Sequence, residues 1–346
     1  MRLSKIAAAA AVLLVGAVSA NAQEVRIGVC TPVIDASVGA PFAAATEFGW
    51  FSERGISVKV LPLAGSTDCV LAVATDKVKA ALVAPESVAL MATKGTKIQI
   101  FYTVFNRNMF GIAVPKDSPI KSYADLKDKR IGVVSMSSVG VVIARAALES
   151  TGLNPDTDAK IVVSGPPVQS NVLLKSGQID ALSQWDMFYE ILTSIGLPMR
   201  KLMDPGIDDF PSNGFATISS VIEKDGDVLA AIGRGYAMGT LYMMERPEEA
   251  ARLFFKHNPD KLAPGLSLDE NVARSLPAMR AASRLRALAD GQKQWGYSDP
   301  KKYQNYIDWL AKHGTPIAKV QSQEIINNSL LDKINSFDPK AVTNAR

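Results

Sequence analysis

Apolar and polar positions alternate along the first part of the chain in a way that predicts strands separated by helices. Residues 24–29 alternate with a period of two, residues 56–61 are rich in β-branched side chains, and residues 78–83 form an apolar run. This βαβαβ order predicts a parallel sheet with helices on both faces. The accompanying helices are predicted over 41–53, over 66–75 with N-cap chemistry from Ser66, Thr67 and Asp68, and from Pro85 onward.

A second unit of the same kind follows. Two apolar strands, over 98–105 and 109–114, precede it, and a last strand over 215–219 returns the chain toward the first unit. The pattern therefore predicts two α/β lobes joined by two crossings, near 108–115 and 212–218. Strands of the second unit are predicted over 130–135, 161–163 and 179–183, and its helices over 139–151, 168–175 and 187–195. The C-terminal helices are predicted over 226–245, 247–256, 268–288 and 300–312.

The first 22 residues have the pattern of a secretory signal peptide. Arg2 and Lys5 give a positive start, an apolar run over 6–18 follows, and Ala20-Asn21-Ala22 is an A-x-A cleavage pattern. The alternative is a membrane anchor, for which the apolar run is short, since a span needs about 20 residues. We therefore expect cleavage near Ala22 and export to the periplasm.

Composition and charge exclude several classes of protein. The chain of 346 residues is 47% hydrophobic and 21% charged, as in a packed globular protein rather than a disordered one. Its 38 Lys and Arg against 34 Asp and Glu give a net charge of +4, too mild to indicate nucleic-acid binding. With two His and two Cys, no metal site or other cofactor is expected.

The two cysteines, Cys30 and Cys69, leave two alternatives open. Export places them in an oxidising compartment, where a disulfide between them would close a loop of about 40 residues. Two reduced, buried thiols are the other possibility, and sequence alone does not supply the geometry that decides.

Several stretches, in a consistent order, resemble one family. They are Glu47–Val58 (EFGWFSERGISV), Val114–Lys127 (VPKDSPIKSYADLK), Arg130–Val133, Leu174–Ala181 (LKSGQIDA) and Gln184-Trp185-Asp186. Together with the signal peptide, they resemble ABC-importer solute-binding proteins of the nitrate/sulfonate/taurine and pyrimidine-precursor (NMT1/THI5-like) group. The resemblance spans the mature chain to about Gly235 and is weaker beyond it.

This resemblance implies a periplasmic-binding-protein type II fold, with two α/β lobes, a two-segment hinge and a helical C-terminal extension on the first lobe. After the signal peptide (1–22), the first lobe would comprise 23–110 and 215–346, and the second lobe 111–214. The family implies capture of a small solute between the lobes and delivery to an inner-membrane permease with its ATPase. We expect a monomer with no enzymatic activity, no catalytic residue and no nucleic-acid partner.

Candidate ligand contacts come from a general rule: in open α/β sheets, ligands lie beyond the carboxyl ends of the strands. Asn106 is added because it lies near the expected hinge, where Tyr102 also lies. The candidate ligand-binding residues are Ile34, Asp35, Ser66, Thr67, Glu86, Asn106, Ser135, Ser137, Ser138, Val139, Trp185 and Asp186.

The segment Ser135–Val139 is the most specific of these. Three hydroxyls precede a predicted helix whose first amide groups have no partner within the helix, an arrangement that favours an anion. Alternatively, Ser137 or Ser138 is only a helix cap. If the segment is an anion site, the ligand is predicted to be an organic anion, a sulfonate or a carboxylate.

The remaining candidates admit other ligands. Trp185 could form a wall for a planar ligand or pack in the core. Asp35, Asp68 and Glu86 could pair with an amine or an N–H-rich ring, or serve as helix caps. A pyrimidine or thiamine precursor, or an aromatic acid, is therefore the alternative ligand. An enzyme or a sensor on the same fold is the rival function; the related pyrimidine-precursor synthases carry a cysteine-rich iron motif, for which Cys30 and Cys69 are too few.

Overall fold

The computed structural model describes residues 22–202 and 207–346, so nearly all of the predicted signal peptide lies outside the described residues. In this part of the chain ten strands form two five-stranded sheets. The strands are β1 (Gln23–Val29), β2 (Ile56–Pro62), β3 (Ala80–Val83), β4 (Ile98–Thr103), β5 (Phe110–Pro115), β6 (Arg130–Val133), β7 (Lys160–Val163), β8 (Ala181–Trp185), β9 (Met199–Lys201) and β10 (Gly214–Ile218).

Helices cover both sheets. Short 3₁₀ helices occur at Ser52–Arg54, Tyr123–Leu126 and Pro259–Lys261. The α-helices are α1 (Ala36–Glu47), α2 (Ser66–Ala74), α3 (Pro85–Ala92), α4 (Val139–Glu149), α5 (Pro167–Lys175), α6 (Asp186–Ser194), α7 (Ser219–Lys224), α8 (Gly226–Glu245), α9 (Pro247–His257), α10 (Leu268–Arg286), α11 (Pro300–Lys312), α12 (Ser322–Ile325), α13 (Leu331–Ile334) and α14 (Pro339–Thr343).

The first sheet has the order β2-β1-β3-β10-β4 and, with the helices packed on it, forms the first lobe. Strand β1 pairs in parallel with β2 and β3, as the βαβαβ pattern predicts. Strand β10 runs antiparallel to β3 and β4, so the sheet is mixed rather than wholly parallel. The chain leaves this sheet at the end of β4 and re-enters it from the second lobe between β3 and β4, which is why β10 runs the opposite way.

The second sheet has the order β7-β6-β8-β5-β9 and forms the second lobe with α4, α5 and α6. Strand β6 pairs in parallel with β7 and β8, while β5 is antiparallel to β8 and β9. The sequence analysis missed β9, because Met199–Lys201 is a three-residue edge strand with two basic side chains and no apolar periodicity. The prediction of two α/β lobes is confirmed.

Two chain segments cross between the lobes and lie side by side. We call residues 104–109 and 207–213 the crossing segments. The Asn213 carbonyl oxygen accepts hydrogen bonds from the amides of Val104 and Phe105, both at 3.1 Å, and the Ser212 amide donates to the Phe105 carbonyl at 2.9 Å. The crossing segments overlap the first residues of the predicted ranges and end earlier than predicted, because β5 already begins at Phe110 and β10 at Gly214.

The long C-terminal part packs on the first lobe and touches the second. Helix α8 lies against α1, and α10 packs against both α1 and α6 of the second lobe. The largest buried apolar cluster therefore runs from the first sheet through the C-terminal helices to Trp185 and Phe188. Among the described residues, no helix is long and apolar enough to cross a membrane.

Candidate functional site

The carboxyl ends of β1, β3, β6 and β8 meet at a small cavity of about 40 Å³ between the lobes. From the first lobe, its wall includes the end of β1, the start of α2 and the first crossing segment. From the second, it includes the starts of α4 and α6. The lining residues are Val29, Cys30, Thr31, Val38, Ser66, Leu82, Phe105, Met109, Phe110, Ser138, Val139, Trp185, Met187 and Asn213. We call this the interlobe cavity.

The interlobe cavity is apolar and aromatic, with few polar groups. Trp185 is 9% exposed, with its ring centroid 6.3 Å from that of Phe110 and 5.2 Å from that of Phe188. Thr31, Ser66, Ser138 and Asn213 supply its polar side chains, and none of the described lining residues is an Asp, Glu, Lys, Arg or His. The site can therefore bind through aromatic surface and neutral hydrogen bonds.

Three helices, α2, α4 and α6, begin at this cavity. Ser66 is the first residue of α2, and Ser138 caps α4 by accepting a hydrogen bond from the Gly140 amide at 3.1 Å. The N-cap of α2 is Gly65, without a side-chain hydrogen bond, so the predicted capping by Ser66–Asp68 is wrong. Helix starts carry amide groups without a partner in the helix and a partial positive charge, so they favour a ligand atom that accepts hydrogen bonds.

A disulfide between Cys30 and Cys69 supports the same wall. The two Cα atoms are 5.8 Å apart, and the bridge joins the end of β1 to the first turn of α2. Of the two alternatives left open by the sequence, the structure contains the disulfide. The tether holds the loop after β1 and the start of α2 in one position, which keeps Thr31 and Ser66 together at the cavity.

The predicted ligand residues fall into three groups. Ser66, Ser138, Val139 and Trp185 line the interlobe cavity. Thr67, Ser135 and Ser137 lie beside it in hydrogen bonds between the lobes: the Ser135 hydroxyl donates to the Ala64 carbonyl at 2.7 Å. The remaining five, Ile34, Asp35, Glu86, Asn106 and Asp186, are not among the lining residues.

Two of these five, Asp35 and Asn106, have structural partners at helix ends. Asp35 caps α1, because its Oδ1 accepts from the Ser37 amide at 2.7 Å; this starts α1 at Ala36 rather than at the predicted Pro41. Burial raises the pKa of the Asp35 carboxyl, against the opposing effects of Ser37 and the charge of Arg286. The Asn106 amide Nδ2 donates to the Arg286 and Ala287 carbonyls, both at 3.1 Å, which ties the first crossing segment to α10.

Ile34 and Asp186 do not line the interlobe cavity either, although Asp186 lies between the lining residues Trp185 and Met187 in the chain. Ile34 faces a separate cavity of about 390 Å³ between β2 and α9. Asp186 pairs with Lys201, with Oδ1 and Nζ 2.8 Å apart, and burial raises the pKa of this carboxyl against the effect of Lys201. Tyr102, the additional hinge candidate, is fully enclosed among aromatic rings, including those of Phe215 and Tyr236.

Glu86 is buried at the start of α3, 1% exposed, and accepts a hydrogen bond from the Tyr306 hydroxyl on α11. Its second carboxyl oxygen, Oε2, has no hydrogen-bond partner. Burial raises the pKa of the Glu86 carboxyl to about 7. A carboxyl in this setting is a structural group of the first lobe whose charge state changes near neutral pH.

Glu86 should make the stability of the protein pH-dependent. Its folded pKa of about 7 lies above the ordinary value of 4.5, so its stabilising contribution is complete below pH 4.5 and is lost as the pH rises through 7. Relative to Glu86→Gln, we expect the wild type to lose about 2–3 kcal/mol of unfolding free energy between pH 5 and pH 8. Urea unfolding at both pH values measures this loss.

The exposed Glu24 provides the matched control. Glu24→Gln removes a carboxyl from an exposed position of β1, and this variant should show the same loss between pH 5 and pH 8 as the wild type. Equal pH dependence in the wild type and in Glu86→Gln would show that Glu86 does not titrate as its burial requires.

The sequence analysis missed Phe105, Met109, Phe110, Met187 and Asn213 at the cavity. The first three lie in or next to the first crossing segment, and Asn213 lies in the second. For Met109 and Phe110 the signal was present in the sequence, as apolar residues at the expected crossing near 108–115, although only the neighbouring polar Asn106 was selected. In the described part of the chain, no group of three His, Cys, Asp or Glu side chains could hold a metal ion.

Comparison with known proteins identifies the family and the fold. The family described as "NMT1/THI5 like" matches residues 37–250, more than half of the chain. The formylaminopyrimidine-binding protein of Halalkalibacterium halodurans is 21% identical over 273 residues, which cover 78% of this chain and 79% of that protein.

Two solved structures share the fold. The alkanesulfonate-binding protein SsuA of Xanthomonas axonopodis pv. citri, bound to MOPS, aligns with a TM-score of 0.65 and 17% identity over 89% of this chain and 99% of that one. The desulfurization enzyme DSZB aligns with a TM-score of 0.54 and 16% identity over 90% and 98%. The type II binding-protein fold is therefore shared by binding proteins and by an enzyme, so function has to be argued from the site.

Proposed function

Because this chain belongs to the NMT1/THI5-like family, we propose that it is the solute-binding component of an ABC importer. It takes a small molecule into the interlobe cavity in the periplasm and releases it unchanged to an inner-membrane permease with its ATPase. The paired crossing segments support this function, since a hinge of two adjacent chain segments lets the lobes separate and close. A cavity of about 40 Å³ is far below the ~300 Å³ of a typical ligand pocket, so entry requires opening.

The lining of the cavity supports binding rather than catalysis. General acid–base catalysis needs a titratable side chain within reach of the ligand, and no Asp, Glu, His, Lys or Tyr is among the described lining residues. The described lining also offers no nucleophile with an adjacent base. Cys30 is held in the disulfide, and no histidine lies beside Ser66 or Ser138 in the lining.

We propose an uncharged, flat heteroaromatic molecule of the aminopyrimidine class as the solute. The observation that carries this proposal is the cavity lining, in which Phe105, Phe110 and Trp185 provide aromatic surface and no described side chain provides a charge. Burying an unpaired charge costs several kcal/mol, whereas a neutral ring needs only a few hydrogen bonds. Asn213 can supply both a donor and an acceptor, which suits the edge of an aminopyrimidine.

A small organic anion is the second candidate, and the two helix starts at Ser66 and Val139 favour it. The hydroxyls expected to bind such an anion have other partners here. Ser135 and Ser137 bond to the opposite lobe, and Ser138 caps α4. An anion would therefore depend on backbone amides and on neutral side chains such as Ser66 and Asn213, without a described positive charge in the lining.

A binding panel separates the two ligand classes. The full chain is expressed, exported and purified from the periplasm. It is then titrated by calorimetry with formylaminopyrimidine, 4-aminopyrimidine, ethanesulfonate, benzoate and nitrate. We expect the pyrimidines to bind, with an affinity that changes less than about 2-fold between low and high salt, because no charge pairing is screened. Binding of ethanesulfonate alone, weakened by salt, would instead establish the anion; turnover of any bound compound would contradict the binding function.

A further inference from the structure

The two lobes touch directly at one edge of the interlobe cavity. The loop Ala64–Asp68 of the first lobe meets the loop Ser135–Ser137 of the second. Besides the bond from Ser135 to the Ala64 carbonyl at 2.7 Å, the Ser137 hydroxyl donates to Asp68 Oδ2 at 2.6 Å. The Thr67 amide donates to the Ser137 carbonyl at 3.2 Å. We call these two loops and their three hydrogen bonds the interlobe latch.

The latch is separate from the ligand cavity. None of its bonding residues, Ala64, Thr67, Asp68, Ser135 and Ser137, is among the lining residues, although their neighbours Ser66 and Ser138 are. All three hydrogen bonds join residues of different lobes, so they exist only when the lobes are together. In separated lobes the same groups would be solvated. The latch therefore discriminates between the closed and the open form, which is the condition for shifting that equilibrium.

Gly65 makes this close approach possible. A Cβ atom at this position would overlap Ser137, and the three nearest atoms that it would meet all belong to that residue of the opposite lobe. The backbone of Gly65 is extended, with φ −178° and ψ 179°, a conformation open to any residue. A side chain at position 65 is thus compatible with the first lobe by itself and incompatible with the closed contact.

We propose that the interlobe latch sets the equilibrium between the closed and the open form and thereby the affinity for the ligand. Gly65, Asp68 and Ser137 are positioning residues, which act on binding without contacting the ligand. The apparent affinity is the intrinsic affinity multiplied by the fraction of protein that is competent to bind. This inference rests on the proposed binding function, but the closing equilibrium is measurable without any ligand.

Two variants test the latch. Gly65→Ala should disrupt the whole contact, and Ser137→Ala should remove the hydroxyl that donates to a carboxylate. In small-angle scattering without ligand, both variants should show a larger radius of gyration than the wild type. Calorimetry with formylaminopyrimidine, or with whichever panel compound binds, should show affinity lower by about 30-fold for Gly65→Ala and about 5- to 10-fold for Ser137→Ala.

The loss of affinity in the latch variants should differ in pattern from the loss caused by removing a direct ligand contact. Every ligand that binds should be weakened by the same factor, because the variants change the closed fraction and not the contacts in the cavity. Dissociation should accelerate, and association should not slow, because the ligand enters through the open form that the variants favour. In the Gly65→Ala/Ser137→Ala double variant the two losses should not add, since both variants break the same contact.

Matched controls lie away from the contact. Ser176→Ala removes a hydroxyl whose two partners both lie within the second lobe: it donates to the Leu173 carbonyl at 3.3 Å and accepts from Gln178 Nε2 at 3.0 Å. Gly226→Ala meets only the flexible Leu330 side chain, at 3.3 Å. Both should leave scattering and affinity unchanged. If Gly65→Ala has the radius of gyration of the wild type without ligand, the latch proposal is overturned. If no panel compound binds the wild type, the proposed ligand class fails, while the scattering comparison still decides on the latch.

Discussion

Removing the disulfide between Cys30 and Cys69 is expected to lower the free energy of unfolding by about 4 kcal/mol. The bridge closes a loop of 39 residue steps, and on the chain-entropy model a tether of this length restricts the unfolded chain by about that amount. Cys69 is fully buried beside Val70, Val73 and Val83, so the Cys30→Ala/Cys69→Ala variant keeps an apolar surface there. Urea unfolding followed by circular dichroism, with and without the bridge, measures the difference.

Reduction of the wild-type protein provides the matched control for this substitution. It breaks the bridge and keeps both sulfur atoms in place, so it separates the effect of the tether from the effect of lost packing. We expect the reduced wild type and the double alanine variant to be destabilised to a similar extent. A loss below about 1 kcal/mol in both would show that the bridge does not constrain the unfolded chain as the entropy model requires.

The second large effect is expected at Trp185, the largest side chain in the lining of the interlobe cavity. Trp185→Ala should weaken ligand binding by about 10- to 100-fold, because an aromatic wall of a binding site contributes about 1–3 kcal/mol. Trp185→Phe keeps an aromatic plane at the same strand end and should lose only a small part of this affinity. Calorimetry with a compound that binds the wild type measures both variants.

Trp309 on α11 supplies the matched control, since it packs against Phe210 and His313 outside the cavity. Trp309→Phe should leave the affinity unchanged. Because Trp185 also packs against Phe110 and Phe188, thermal unfolding of Trp185→Ala has to show that the variant is folded at the temperature of the titration. A folded Trp185→Ala with wild-type affinity would remove this residue from the binding site.

The candidate binding site illustrates why residue type and position do not establish a residue's role. The rule that ligands lie beyond strand ends located Ser66, Ser138, Val139 and Trp185 at the cavity. It could not distinguish them from Glu86, which also follows a strand but bonds to a tyrosine 220 residues later in the chain. A hydroxyl or carboxyl near a strand end has several partners within reach, and the packing of distant helices selects among them.

The role of the interlobe latch is likewise decided by the packing of segments that are far apart in the chain. As a sequence, Ser135-Met136-Ser137-Ser138 is typical of an anion site at a helix start, and as a structure two of its hydroxyls bond to the other lobe. Gly65 had no recognisable role in the sequence, because its backbone is extended and any residue could adopt it. Its role is visible only when Ser137, 72 positions away, is placed against it.

The sequence by itself determined the family, the two-lobed α/β fold and most element positions, including α8, predicted over the same residues 226–245 that form it. Periodicity and end signals for such elements lie within a few neighbouring residues, so they can be read locally. Only the tertiary structure decided the disulfide, the uncharged cavity lining, the burial of Glu86 and the contact between the lobes. Each of these depends on distances between residues far apart in the chain, and those distances exist only once the two sheets and the C-terminal helices have packed together.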